Sequence, residues 1–217
     1  MSDNYQRIGI DRIDPAAAER IVGRALHWLI ERGYIMEDLS DCAYGPKDGL
    51  AHLPGPNWRD IIQNPEAQVR IAAENAQRLA EWSARTGKLV KPFLEVSGFE
   101  ARHPCGVHAE AGREVVHAGG NYDPDLDGRC PACNAKMKWQ ENYTDLVVSW
   151  HEGMETLLEC ATCKASSKLE DWDWQPGWAF AQASITFWNW PELSRSFIDE
   201  LSGVLGGARL RRVFAHL

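Results

Sequence analysis

Four of the six cysteines fall into two Cys-x-x-Cys pairs, Cys130/Cys133 in CPAC and Cys160/Cys163 in CATC, with 26 residues between the pairs. A pair at this spacing wraps its backbone round one side of a cation. Two pairs complete the tetrahedron of thiolates that zinc accepts without redox chemistry. The chain is therefore expected to hold Zn2+ on Cys130, Cys133, Cys160 and Cys163. Such a ligand set leaves no open position, so the metal is expected to staple the fold, and no catalytic residue is assigned. In CPAC the proline stiffens the turn, and Asn134 follows Cys133 where a zinc knuckle ordinarily has glycine; Lys164 takes that place after CATC. Asn enters the left-handed conformation more readily than most residues. Lys136, Lys138 and Lys164 are placed to offset the charge that four thiolates leave on a divalent ion. A thioredoxin-like redox pair would need its CxxC at the start of a helix, and the sequence after CPAC reads as strand instead.

A chain of 217 residues can bury a core without help from a metal. The expected fold class is α+β, an antiparallel or mixed sheet with packed helices and an inserted zinc-ribbon hairpin. Residues 1–128 and 169–217 are read as the two parts of the α+β domain and residues 129–168 as the ribbon. Asp14 and Pro15 open a helix over 15–32, with Ile21, Val22, Ala25, Leu26, Leu29 and Ile30 as its apolar stripe and Gly33 at its end. A loop rich in Gly and Pro follows over 41–56, with a short strand at most. A second helix is expected over 66–86, its inner side formed by Val69, Ile71, Ala72, Ala76, Leu79, Ala80 and Trp82. Strands are expected at 93–97 and 114–118, separated by turns. Between the cysteine pairs, 145–150 (DLVVSW) and 154–159 are read as a hairpin. A strand at 183–190, a helix over 191–205 with Leu193, Phe197, Leu201 and Leu205 at every fourth position, and a basic strand at 209–214 complete the order.

The formal net charge is -8. A phosphate backbone would be repelled unless a basic face were set apart, and residues 128–175 carry eight acids against five Lys or Arg. The ribbon thus has the wrong sign for nucleic acid. No apolar run reaches the 18 or so residues of a membrane span. The opening MSDNYQRIGIDRID lacks the apolar centre of a secretory signal, so the cytoplasm is the expected compartment and the thiols are expected to be reduced. Cys42 and Cys105 stand outside the pairs as buried or half-buried thiols.

Two other groups hold reactive residue types. His103, Cys105 and His108 in HPCGVH, with Glu110 and His117 downstream, could form a Cys-His nucleophile or a second metal site, against a polar loop with one thiol. Asp171 and Asp173 alternate with Trp172 and Trp174, which in a strand puts both acids on one face and both indoles on the other. That pair could serve acid-base chemistry or simply edge a half-buried strand. Ten tryptophans are many for this length, and Trp178 and Trp190 could line a groove facing a partner. Nucleotide, zinc-protease and serine-hydrolase motifs are absent.

From the second cysteine pair onward, CATC, DWDW, ITFWNWPEL, FIDEL and the closing basic strand resemble the C-terminal half of a group of bacterial zinc-ribbon proteins without an assigned activity. The resemblance implies the fold and the zinc, and no chemistry. The expected function is that of a non-enzymatic cytoplasmic zinc-ribbon binding protein with a basic protein partner, for example an acidic immunity or inhibitor protein that covers a toxin. The alternatives are an enzyme using the 103–117 Cys/His loop or the Asp171/Asp173 edge, and a nucleic-acid-binding zinc ribbon.

Overall fold

The structure is a computed structural model and describes residues 4–41, 49–87, 94–96, 99–101, 105–117, 127–138, 140, 143–175 and 178–216. In chain order its elements are β1 (Asn4–Asp11), α1 (Ala18–Glu31), β2 (Ile35–Asp41), β3 (Leu50–Pro54), α2 (Pro65–Thr86), β4 (Leu94–Val96), β5 (Phe99–Ala101) and β6 (Gly106–Val116). There follow β7 (Asp127–Arg129), β8 (Lys136–Lys138), α3 (Tyr143–His151), β9 (Leu157–Glu159), β10 (Ser166–Lys168), β11 (Asp173–Gln175), β12 (Ala179–Trp188), α4 (Arg195–Val204) and β13 (Arg209–His216). This is an α+β fold built on antiparallel sheets. No helix of the described residues is long and apolar enough to cross a membrane.

The chain divides into two compact units. The first gathers Met1–Ala25, Ala109–Thr186 and Ser202–Leu217. Its sheet runs β13-β1-β12-β6. β1 pairs with β13 along its whole length, from Asn4 opposite His216 to Asp11 opposite Arg209, and β12 is buried at every position. A strand covered on both faces carries no alternation of apolar and polar residues. That is why β1, buried at six of its eight positions, hides in a mixed N-terminal sequence. A polar cluster sits in the sheet: Arg7 pairs with Glu114 and donates to Thr186, while Ser184 donates to Glu114. Near one end Asp11 is buried beside Arg209 and Arg211, which also hold Asp173.

The second unit comprises Leu26–His108 and Phe187–Leu201. Here β3 pairs with β2, and His52 of β3 faces Val107 at the start of β6. An aromatic cluster holds it: Trp28 stacks on Phe197 at 5.9 Å between ring centres, with Tyr34 and Phe187 set edge-on to Phe197. The helices begin and end on the signals the sequence carries. Asp14 caps the amide of Ala16, and Gly33 closes the first helix at φ 68°. Ser194 accepts from the Phe197 amide at the start of α4, and Leu193, Phe197, Leu201 and Leu205 are all buried. Along α2, Ala80 is exposed and Trp82 half-buried, so Ala80 is not on an inner side; the expected inner residues Val69, Ile71, Ala72, Ala76 and Leu79 have side chains outside the described set.

Two sequence expectations are corrected. Residues 145–150 form the body of helix α3 and not a strand. Tyr143, Leu146, Val147 and Trp150 recur at helical spacing and form its inner face, which outweighs the strand preference of the two adjacent valines. The expected hairpin between the cysteine pairs is therefore absent. In its place stand two separate hairpins, β7/β8 and β9/β10, one for each pair. Likewise the stretch after Cys105 is no turn: residues 106–116 are one continuous strand.

Candidate metal centre

Each Cys-x-x-Cys pair occupies the turn of one of these hairpins, and the two turns are built alike. In the first, the last paired residues are Arg129 and Lys136; in the second they are Glu159 and Ser166. The Cys130 amide donates to the carbonyl of Ala135 at 3.0 Å and the Asn134 amide to the carbonyl of Cys130 at 2.9 Å. The second turn repeats both bonds, Cys160 to Ala165 and Lys164 to Cys160, each at 2.9 Å. Both turns need one left-handed residue, and Asn134 and Lys164 supply it, each with φ 59°. The missing knuckle glycines thus leave the turn geometry intact, at the cost of strain that falls on Lys164 more than on Asn134.

The two turns bring four sulfurs together. Cys130 Sγ lies 3.8 Å from Cys163 Sγ, and Cys133 Sγ lies 3.7 Å from Cys160 Sγ. All four sulfurs lie within 4.8 Å of one another. A tetrahedral ion with metal–sulfur bonds of ~2.3 Å requires sulfur separations of ~3.8 Å, so the arrangement fits a four-coordinate ion and is too open for disulfides, which need ~2.05 Å. Electrostatics points the same way. Two thiolates at this separation repel by roughly 4 kcal/mol at an effective dielectric of ~20, and a tetrahedron contains six such pairs. Without a cation the four cannot all ionise. The thiols accordingly spread apart in acidity. The amides of Cys163 and Thr162 and the neighbouring thiols draw Cys160 down to about 6. The Ala135 amide pulls Cys133 down as well, but hydrogen bonds to the other three sulfurs, together with desolvation, outweigh it and raise that thiol to about 12.

Cys130 and Cys160 are buried, whereas Cys133 and Cys163 are exposed. The site therefore sits at the surface of its lobe with an aromatic floor beneath it. Trp150, Trp172 and Trp174 are each no more than 2 % exposed and pack with Met137, Tyr143, Leu158, Leu169 and Phe180 against the two buried cysteines. Hydrogen bonds fix two of the indoles: Trp174 Nε1 donates to the Leu169 carbonyl at 3.0 Å and Trp150 Nε1 to Glu170 at 3.1 Å. Arg113 lies over the Trp150 ring and donates to the carbonyls of Trp150 and Met154. Gly128 faces Trp174 across β7 and β11 so closely that a Cβ there would lie 2.7 Å from the indole. The lysines near the cysteines have partners of their own, Lys136 with Asp127 at 3.5 Å and Lys164 with Glu159 at 3.8 Å, so their charge is shared with the acids.

Among the described residues, the other candidates do not assemble. Cys105 is fully buried, His108 is buried and accepts from Trp188 Nε1, and His117 lies beyond the far end of β6. His103 falls outside the described residues, as does Cys42, and Glu110 is exposed. His117 stacks on Trp178 at 5.3 Å between ring centres, and burial together with Arg7 lowers its pKa. Cys105 and His108 at one end of an eleven-residue strand and His117 past the other cannot converge on one substrate atom. Asp171 and Asp173 are likewise engaged: Asp171 ends a 3-10 turn and faces Arg12 at 3.9 Å, while Asp173 binds Arg209 and Arg211. Trp172 and Trp174 stack together in the core, although of the expected strand only Asp173–Gln175 is formed. Trp190 is 6 % exposed and set edge-on to Phe187, so it lines no groove; Trp178 is half-buried against His117. Neither cysteine pair stands at a helix N-terminus, which removes the basis of a thioredoxin-like redox reading.

Among the described residues the four-cysteine cluster is thus the one group of at least three His, Cys, Asp or Glu side chains gathered to hold a metal ion. Comparison with protein-family models, with curated proteins and with solved structures returns no match.

Proposed function

We propose that the chain is a zinc-stapled, non-enzymatic binding protein of the cytoplasm whose acidic exterior receives a basic protein partner, in the manner of an immunity or inhibitor protein. The observation that carries this reading is the closed set of four sulfurs spaced for a tetrahedral ion, with no histidine, carboxylate or vacant corner. Zinc and iron both accept four thiolates in this shape, and zinc is the ion that needs no redox role to account for it. Bound, it supplies folding energy: it ties two hairpins together over the aromatic floor, and removing it releases both turns.

The net charge of -8 favours encounter with a cationic surface. Nucleic acid is disfavoured by the same charge, and among the described residues the histidines and acids that could have supported catalysis are dispersed or paired. Metal analysis of protein purified without added metal tests the first half of the reading, with one zinc per chain expected and iron or no metal against it. Chromatography on cationic and anionic matrices carrying basic proteins and polyanions tests the second. Salt-sensitive retention on the basic proteins is expected, and retention on the polyanion contradicts it.

A further inference from the structure

Helix α3 ends in a hydrogen-bonded turn that fixes the course of the chain just after it. The Gly153 amide donates to the Trp150 carbonyl and the Met154 amide to the Ser149 carbonyl, both at 3.0 Å, with Gly153 at φ 94°. This is the Schellman arrangement, which turns the backbone at Met154, the residue after the left-handed glycine, back toward the last turns of the helix, where Val148 stands. Here Val148 is 51 % and Met154 49 % exposed, and Leu157, three residues on, is 53 % exposed. Asp145 and Glu152 stand three residues before and four after Val148 on the same helical face, both exposed and, among the described residues, without a cationic partner. Among the described residues the other large exposed apolar side chains are dispersed. Phe214 lies under Arg212, and Met36 and Leu39 sit on a bulged strand with Glu37 and Asp38 between them, the usual protection of a sheet edge.

We propose that the exposed face of α3 and the turn after it, centred on Val148 and Met154 and flanked by Asp145 and Glu152, is the docking surface for a basic, amphipathic segment of a protein partner. Apolar anchors of that segment cover Val148, Met154 and Leu157, and its Lys or Arg residues meet Asp145 and Glu152. The choice of occupant follows from charge complementarity: Asp145 and Glu152, without a cationic partner among the described residues, flank the patch, while the two cations near it are engaged, Arg113 on the Trp150 and Met154 carbonyls and Lys168 with Glu155, which disfavours an acidic segment and a second copy of this acidic chain. An apolar patch with a charged rim is also the ordinary anatomy of an interface. The proposal rests on the reading of the chain as a binding protein for a basic partner, and it names the surface.

The test uses the full zinc-loaded chain and a synthetic amphipathic peptide of Lys and Leu, with its Glu and Leu counterpart as control, followed by calorimetric titration. The Lys/Leu peptide is expected to bind and the Glu/Leu peptide not to bind. Val148→Asp with Met154→Asp is expected to weaken binding about ten-fold or more, even though it adds negative charge. Val148→Asp alone, which leaves the turn after the helix untouched, should show part of that loss, and unchanged zinc content in both variants confirms that the lobe is folded. Asp145→Asn with Glu152→Gln should flatten the salt dependence of the Lys/Leu titration. If the aspartate variants bind as well as the parent or more tightly, attraction is by overall charge alone; the docking surface is then refuted while the wider reading stands. If the parent chain binds neither peptide, both fall. If the parent instead forms dimers that the Val148 variant abolishes, the occupant is a second copy and the proposal is overturned.

Discussion

Gly128→Ala probes how tightly the aromatic floor is tied to the metal site. Gly128 lies opposite Trp174, and the added Cβ would stand 2.7 Å from Cζ3, 3.0 Å from Cε3 and 3.1 Å from Cη2 of the indole. The indole cannot easily yield, because it is buried in the core and its Nε1 is held by the Leu169 carbonyl. The strand must therefore move. An overpacked methyl of this kind costs about 1–3 kcal/mol. Because β7 leads directly into Cys130, the displacement also spreads the four sulfurs, so the same substitution should lower zinc affinity as well as stability. Competition with a chromophoric chelator and denaturant unfolding followed by tryptophan emission measure the two effects. Trp174→Phe removes the clashing ring atoms while giving up one hydrogen bond, worth roughly 1 kcal/mol. The double variant should then lose less than the sum of the two single ones, with a coupling of about 1 kcal/mol or more. Additive losses, or Gly128→Ala with unchanged zinc affinity, would refute the claim that Trp174 positions the first cysteine turn.

Three further outcomes follow from the same geometry. Cys160→Ser should abolish stoichiometric zinc binding and unfold the β9/β10 turn, read by metal analysis and circular dichroism; full metal content in the variant would remove Cys160 from the ligand set. Lys164→Gly should raise stability by about 0.5–1 kcal/mol because it relieves a left-handed lysine, whereas Asn134→Gly should change it by less, as thermal melts of the zinc-loaded variants will show. Asp11 is pushed up to about 6 by burial, although Arg211 and Arg12 pull it down. Its folded pKa exceeds the ordinary 3.8, so its contribution to stability is complete below about 4 and is lost as pH rises through 6. Asp11→Asn should therefore remove a difference of roughly 2–3 kcal/mol between pH 4 and pH 7.5. At pH 7.5 it should leave the protein as stable as the parent or more so. A loss above about 1 kcal/mol there would mean that the arginine pairs outweigh burial.

The cysteine cluster was legible because thiols in this spacing carry their own chemistry: two CxxC pairs suit a tetrahedron whatever joins them, and the structure brings Cys130, Cys133, Cys160 and Cys163 close enough together to hold a metal ion. Capped helices were legible for a similar reason, since Asp14 and Gly33 act on neighbours in the chain. The strands were harder to read. β1 exists because β13 and β12 flank it, partners found at the far end of the sequence, and a strand buried on both faces leaves no alternation to read. In β6, glycines and a proline upstream suggested turns, yet pairing holds the stretch extended. Helix α3 carries two conflicting signals. Tyr143, Leu146, Val147 and Trp150 follow helical spacing, but Val147 and Val148 side by side resemble a strand. The difference between strand and helix decides which side chain reaches the surface. In a strand Leu146, Val148 and Trp150 share a face, whereas in the helix Val148 turns away from the buried Trp150 into solvent.

X-ray absorption at the zinc edge, on the protein as purified, bears most directly on the central claim. One zinc per chain with four sulfur neighbours at ~2.3 Å and no lighter ligand is the predicted result. A nitrogen or oxygen neighbour in the first coordination sphere, or a chain that folds fully without any metal, would contradict it.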